Sequence, residues 1–127
     1  MQEKNLYEYA VIRVVPRVER EEFLNVGVII FCKKAKFIKI LHNLNVEKVV
    51  SLSVEADVEQ IQMNLFAFEK VAHGTIDGGP ISMMDIPSRF RWLTALRSSV
   101  IQTSRPHSGL CDDLEKTTQR LFEELVL

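Results

Sequence analysis

Cysteine is scarce in this sequence: only Cys32 and Cys111 occur, and they lie far apart. Neither belongs to a Cys-x-x-Cys pair or to a Cys/His spacing of the kind that binds zinc. The sequence therefore predicts no metal site. Because few and widely separated cysteines are typical of a reducing compartment, we expect a cytoplasmic protein.

Long hydrophobic runs are missing too. The longest apolar run, Val26–Cys32, is far shorter than the roughly 20 residues that a membrane helix needs. The opening residues, Met1–Asn5, carry an acid and amides where a signal peptide would have a basic segment followed by an apolar one. We therefore expect neither membrane insertion nor secretion.

The chain also lacks the motifs that mark common enzyme and ligand-binding families. It has no Gly-rich phosphate loop, no Gly-x-Ser-x-Gly, no His-Glu-x-x-His and no calcium-binding loop. Neither charge is in excess, because 16 Lys and Arg residues face 17 Asp and Glu residues, a formal net charge of −1. This balance argues against broad polyanion binding, and no motif assigns a cofactor.

What is present is the composition of one soluble globular domain spanning residues 1–127, with 46% hydrophobic and 26% charged residues. Three early segments are rich in residues that favour β-strands: Leu6–Val15, Phe23–Cys32 and Phe37–His42. In the first, alternation places Tyr7 and Arg13 on one face and Ile12 on the other. The second is apolar almost throughout, which predicts a central strand buried on both faces.

One long helix is predicted by apolar residues spaced three and four positions apart from Val54 to Ala72. Ser53 is its predicted N-cap, and Gly74 is predicted to end it in a left-handed conformation. Residues 74–87 include Gly78-Gly79-Pro80, which predicts an irregular connection.

Three further elements complete the predicted fold. Ser88 is the predicted cap of a short helical turn that ends near Leu93, and residues 99–104 have strand character. Asp112 and Glu115 have capping-box spacing, which predicts the start of a terminal helix. The predicted class is α+β: an antiparallel sheet of three to four strands with two main helices packed on it.

The charges are segregated along the chain although their sum is nearly zero. Residues 86–111 contain four arginines and no acid. A guanidinium group binds carboxylate or phosphate through parallel N–H donors, and serine hydroxyls are further donors. We therefore predict anion binding by a set of candidates, which are Arg13, Arg91, Arg97, Ser98 and Ser104. The competing interpretation is that these arginines pair with acids elsewhere in the fold.

Four other residues are candidates for a site or for a structural network. His107 is predicted to lie in a loop, where it is a candidate catalytic group for proton transfer or is simply exposed. Glu22 and Asn25 flank the start of the buried strand, and Glu22 is the second catalytic candidate. Gly27 interrupts that strand, which favours a bulge or a close approach of another backbone. Asn25 and Gly27 are predicted to be structural.

Two separated motifs carry a resemblance to a known family. The first runs from Tyr9 to Pro16 and continues as Glu22–Val28; the second runs from Arg89 to Ala95 and continues to Asp113. Together they resemble a bacterial family, domain of unknown function 3037. The candidates Arg13, Glu22, Asn25, Arg91, Arg97, Ser98, Ser104 and His107 all fall on matched positions. Glu21 and Leu96 stand where the family often has glycine and proline. The resemblance implies no established activity, but it does imply genes beside kinase-like proteins of the HipA toxin type.

Three functions are compatible with these observations. The preferred one is a non-enzymatic binding or accessory module for a protein partner, for which the resemblance suggests a HipA-like kinase. The alternative is a phosphate- or nucleotide-directed enzyme, which requires the arginines, His107 and Glu22 to converge on a small anionic ligand. Sequence-specific nucleic-acid binding is disfavoured, because the chain has no recognition-helix motif and is not basic.

Overall fold

A five-stranded antiparallel sheet organises the computed structural model, which describes residues 4–95, 97 and 99–127. Its strands are β1 (Asn5–Val14), β2 (Leu24–Cys32), β3 (Phe37–His42), β4 (Ile101–Thr103) and β5 (His107–Cys111). The order across the sheet is β3-β2-β1-β4, and β5 pairs with the other half of β1 on the same side as β4. The predicted α+β class is confirmed.

Four helices accompany the sheet: α1 (Val46–Leu52), α2 (Val58–His73), α3 (Ile86–Leu93) and α4 (Leu114–Leu125). Short 3₁₀ turns occur at Val18–Arg20, Ile76–Gly78 and Pro80–Met83. The sheet thus has one strand more than predicted, and two helices, α1 and α3, join the two that were predicted as the main ones. Within the described residues, none of these helices combines the length and apolarity required to cross a bilayer.

The two faces of the sheet carry two separate cores, as the alternation in β1 predicts. Ala10, Ile12 and Val14 lie in a core shared with α2 and α3, while Tyr7 lies in a second core shared with α4. The central strand β2 contributes to both, because its residues from Val26 to Cys32 are all buried. Burial on both faces explains the continuous apolar character of this strand.

Gly27 marks a bulge in β2. The pairing with β1 shifts there, from Ile12 opposite Gly27 to Arg13 opposite Asn25. A Cβ atom on Gly27 would lie 2.8 Å from the backbone oxygen of Leu41 in β3, closer than real Cβ contacts allow. The structure thus has both a bulge and a close backbone approach at this glycine.

Strand β5 was predicted to be a loop, and that prediction is wrong. Pro106 and Gly109 give the segment the composition of a turn, which hid the strand. Gly109 pairs with Tyr7 of β1, and a Cβ atom on Gly109 would lie 2.4 Å from the Tyr7 hydroxyl oxygen. The tyrosine side chain occupies the space that a larger residue would need, so the glycine here serves packing.

The start of the long helix differs from the prediction, which places it at Val54. Helix α2 begins at Val58, and the side chain of Asp57 caps it by accepting from the Gln60 backbone N–H at 3.1 Å. Ser53 instead follows the last residue of α1, and Val54 is 84% exposed. The end of α2 is as predicted, because Gly74 adopts a left-handed conformation with φ of 67°.

Two other predicted caps lie close to the real ones. Helix α3 is capped by Asp85, whose carboxylate accepts from the Ser88 backbone N–H at 2.9 Å, so Ser88 is the donor and not the cap. Helix α4 is capped by Asp113, which accepts from the Lys116 backbone N–H at 3.0 Å, and not by its neighbour Asp112.

Candidate functional site: a basic cleft at the β1–β4 end of the sheet

Arg13 lies near the end of β1, opposite Asn25 of β2 and Gln102 of β4. Its guanidinium carbon lies 4.2 Å from the centroid of the Phe23 ring. The Nε atom is buried and has no hydrogen-bond partner in the described part of the chain. Stacking uses the flat face of a guanidinium group and leaves the N–H donors in its plane able to bind an acceptor.

Arg97 follows α3 and has a similar environment. Its guanidinium carbon lies 4.6 Å from the centroid of the Trp92 ring, and one terminal nitrogen donates to the Trp92 backbone oxygen. Both contacts are made with the same residue, so Trp92 fixes the direction of the arginine side chain. Trp92 itself is 43% exposed at the end of the helix.

The two arginines line one cavity of about 530 Å³, which we call the basic cleft. Its lining is Arg13, Val15, Val18, Glu21, Phe23, Arg97 and Gln102. Two arginines and one glutamate give the lining a formal charge of +1. The cleft therefore places two cations, each stacked on an aromatic ring, beside a single acid.

A second cavity of about 660 Å³ adjoins the basic cleft, and Val18 and Arg97 line both. Most of its remaining lining is apolar, with side chains from α2, α3 and the start of β4. We call it the apolar cavity; its apolar lining includes Ala67, Phe68, Val71, Trp92, Val100 and Ile101.

Arg91 does not reach the basic cleft. Its two terminal nitrogens donate to the two carboxylate oxygens of Glu8 at 2.9 and 2.7 Å. This fork raises the pKa of Arg91 above its usual value. The pair lines another cavity, together with Lys33 and Ser108. The competing interpretation made from the sequence, arginine paired with an acid, describes Arg91.

The Ser104 hydroxyl makes its hydrogen bonds with backbone groups. Its hydroxyl accepts from the Val11 N–H at 2.9 Å and donates to the Arg105 oxygen at 3.1 Å. The Ser104 backbone N–H also donates to the Val11 oxygen, so the residue joins β1 at the break between β4 and β5. The side chain is buried and forms part of the sheet. Ser98, another predicted anion ligand, lies outside the described residues.

His107 opens β5 and is exposed. It pairs with Tyr9, and the centroids of the two rings lie 5.4 Å apart. Tyr9 precedes Arg13 by four residues on β1, which corresponds to about 13 Å along a strand. Glu22 is exposed and forms an ion pair with Arg20. Neither candidate catalytic residue lines the basic cleft.

Asn25 connects β2 to the end of α4, because its amide nitrogen donates to the Leu125 backbone oxygen at 3.1 Å. Its side-chain oxygen is buried and, among the described residues, has no hydrogen-bond partner. Since Asn25 lies directly opposite Arg13 in the sheet, an unpaired acceptor and an unpaired donor occur on neighbouring strands.

Sequence reasoning missed Glu21, Phe23 and Gln102, which complete the basic cleft. The signal for Phe23 was weak, since an aromatic residue beside a strand is usually core. Glu21 carried a better signal, because it stands where the resembled family often has glycine. Its φ of 58° is the left-handed conformation that glycine adopts without strain.

The described residues contain no group of three or more His, Cys, Asp or Glu side chains placed to hold a metal ion. Cys32 and Cys111 are both free and buried. Comparison with known families matches residues 9–126 to a family described as "Protein of unknown function (DUF3037)". No curated protein and no solved structure matches the chain.

Proposed function

Because the chain belongs to the DUF3037 family, whose description assigns no activity, we propose its function from the geometry of the site. We infer that the protein is a non-enzymatic binding module, and that its basic cleft holds an anionic group presented by a protein partner. The observation that carries this proposal is the convergence of Arg13 and Arg97 on one cleft.

Preorganisation of the two cations supports this function. Each guanidinium group stacks on an exposed aromatic residue, Phe23 or Trp92, so little side-chain freedom is lost when an anion binds. The buried Nε of Arg13 lacks a partner in the described structure, although buried polar groups nearly always have one. Arg13 therefore keeps a donor that no described group of the chain uses.

The positions of the acid–base candidates favour binding over catalysis. A catalytic acid or base must reach its proton directly or through one water molecule. His107 lies about four strand residues from Arg13, a separation of roughly 13 Å, and Glu22 pairs with Arg20. The enzyme alternative therefore has neither of its two predicted proton-transfer groups at the pair of arginines.

The family resemblance suggests a HipA-like kinase as the partner, and co-purification from the native host tests this idea. The bait is the full chain with an N-terminal tag, because the Leu125 carbonyl near the other end accepts from Asn25. We expect one protein to be enriched in a stoichiometric amount. Failure to enrich any partner would contradict the proposal.

Matched variants test whether the basic cleft is responsible. With the Arg13→Gln/Arg97→Gln double variant, the amount of partner recovered should fall at least tenfold, since charge-assisted hydrogen bonds contribute about 1.5–3 kcal/mol each. Arg120→Gln on α4 is the control, because it removes an exposed arginine that pairs with Glu124 one turn further along the same helix. Equal recovery with the double variant and the wild type would contradict a role of the cleft. Circular dichroism verifies that each variant is folded.

A further inference from the structure

The basic cleft and the apolar cavity share a wall. Val18 and Arg97 line both, so a ligand held by the arginines has apolar surface within reach. The apolar cavity measures about 660 Å³, within the roughly 300–1,000 Å³ typical of ligand sites. Its lining from Ala67, Phe68 and Val71 of α2 suits a large aliphatic or aromatic group.

The charge of the basic cleft indicates which anion it takes. Arg13 and Arg97 face the cleft with Glu21, giving a formal charge of +1. A monoanionic carboxylate neutralises that charge, whereas a phosphate dianion leaves the occupied cleft with a formal charge of −1. Charge complementarity therefore favours a carboxylate.

The aromatic rings argue against a nucleotide. Phe23 and Trp92 are the exposed rings at the two cavities, and each already has a guanidinium group over one face. Recognition of a nucleobase usually relies on stacking against an aromatic side chain or a guanidinium plane. Here each ring and its guanidinium group already cover one face of each other, so fewer planes are free to stack on a base, and the arginines offer in-plane donors instead.

We propose that the basic cleft and the apolar cavity form one two-part site for a protein segment that carries a carboxylate beside a large apolar side chain. This inference rests on the proposed function and specifies its ligand. The carboxylate binds Arg13 and Arg97, and the apolar side chain enters the cavity between α2, α3 and β4.

Titration followed by nuclear magnetic resonance of the ¹⁵N-labelled full chain tests this proposal. N-acetylphenylalanine is the probe, because it contains a carboxylate and an apolar ring in a single peptide unit. Acetate lacks the ring, and N-acetylphenylalanine amide lacks the carboxylate. The Nε–H signals of Arg13 and Arg97 report on the cleft, and the indole N–H of Trp92 reports on the cavity. We expect N-acetylphenylalanine to bind in the millimolar range, at least fivefold tighter than either reference compound.

Two variants separate the parts of the site. Ala67→Leu adds bulk at an exposed position of α2 that lines the apolar cavity, so it should weaken N-acetylphenylalanine at least fivefold and leave acetate unchanged. Gln119→Leu, which places a leucine at an exposed position of α4, is the control and should alter neither. Glu21→Gln raises the formal charge of the cleft and should strengthen inorganic phosphate more than acetate.

The outcomes distinguish this inference from the function on which it rests. If acetate and N-acetylphenylalanine bind equally and Ala67→Leu changes neither, the two-part site is wrong while anion binding stands. If phosphate or adenosine monophosphate binds wild type more tightly than N-acetylphenylalanine, the carboxylate assignment is wrong. If no anion shifts the signals of Arg13 and Arg97, the proposed function itself fails.

Discussion

Arginine illustrates how far residue type alone can be interpreted. Arg13 and Arg97 stack on aromatic rings and line the basic cleft. Arg91 makes a bidentate ion pair with Glu8, and Arg89 is buried beside Gly74. All four belong to the residues or motifs highlighted from the sequence, yet only two face the same cavity. The partner of each side chain is fixed by strand pairing and helix position, which single-residue chemistry does not encode.

The close approach at Gly27 predicts a steric cost for any side chain. Gly27→Ala would place a Cβ 2.8 Å from the Leu41 oxygen, so we expect it to lower the free energy of unfolding by about 2 kcal/mol. Gly79→Ala is the comparison for backbone strain alone: its Cβ meets nothing within 4 Å, and its φ of 90° with ψ of −175° costs alanine about 1–3 kcal/mol. Chemical denaturation measures both, and an unchanged stability of Gly27→Ala would contradict the packing argument.

Removal of the Ser104 hydroxyl should also lower the free energy of unfolding, in this case through the loss of a hydrogen bond. Ser104→Ala leaves the buried Val11 N–H without its side-chain acceptor, and an unsatisfied buried donor costs about 1–3 kcal/mol. Hydrogen exchange at the Val11 amide should accelerate together with the loss of stability. Ser104→Thr keeps the hydroxyl and should retain most of the stability, and exposed Ser108→Ala is the control. A stability for Ser104→Ala equal to that of Ser108→Ala would contradict this role.

At the scale of secondary-structure elements, periodicity was more informative than capping residues. The β1, β2 and β3 strands and the apolar stripe of α2 from Ile61 to Ala72 follow from the sequence, because burial imposes its period directly. Caps were harder to assign, since Asp112 and Asp113 are adjacent and both can cap. Only the backbone geometry at the first turn selects one of them. Strand β5 could not be predicted, because Gly109 is typical of turns. In this strand the glycine is needed to leave room for the Tyr7 side chain.

Adjacent aspartates at the start of α4 provide a matched test of the cap. Asp113→Ala removes the acceptor of the Lys116 N–H and should cost about 1 kcal/mol of unfolding free energy. Asp112→Ala should change stability by less than about 0.5 kcal/mol, because only the backbone oxygen of Asp112 has a described contact, with Asn5. The reverse order of the two effects in urea denaturation would show that the assigned cap is wrong.

The cap of α3 predicts a dependence of stability on pH. The Ser88 hydroxyl and backbone N–H hold the pKa of Asp85 below its usual value. A carboxyl with a lowered folded-state pKa contributes stability above its unfolded-state pKa, and this contribution is lost as the pH falls through the folded-state value. Asp85→Asn can still cap but does not titrate. The stability advantage of wild type over Asp85→Asn should therefore be constant near neutral pH and shrink in acid; an advantage that grows in acid would contradict the assignment.

At the scale of the whole molecule, the sheet separates two cores but belongs to both. Trp92, the single tryptophan, reports on the side of α3, whereas the buried thiols of Cys32 and Cys111 lie in the core beneath α4. Because β2 supplies residues to both cores, we expect them to unfold together as one domain. Tryptophan fluorescence and thiol labelling in a urea series should give the same midpoint. Two separate midpoints would contradict a single cooperative unit.

The division of one sheet edge between β4 and β5 has a consequence for solubility. The two strands have three and five residues, and the break between them contains Pro106, which has no N–H to donate. A continuous edge strand would present an unbroken ladder of donors and acceptors to any other unfolded or partly folded chain. The interruption leaves only short templates, while Ser104 keeps the gap closed from within. The same serine that completes the sheet thereby helps the molecule to resist edge-to-edge aggregation.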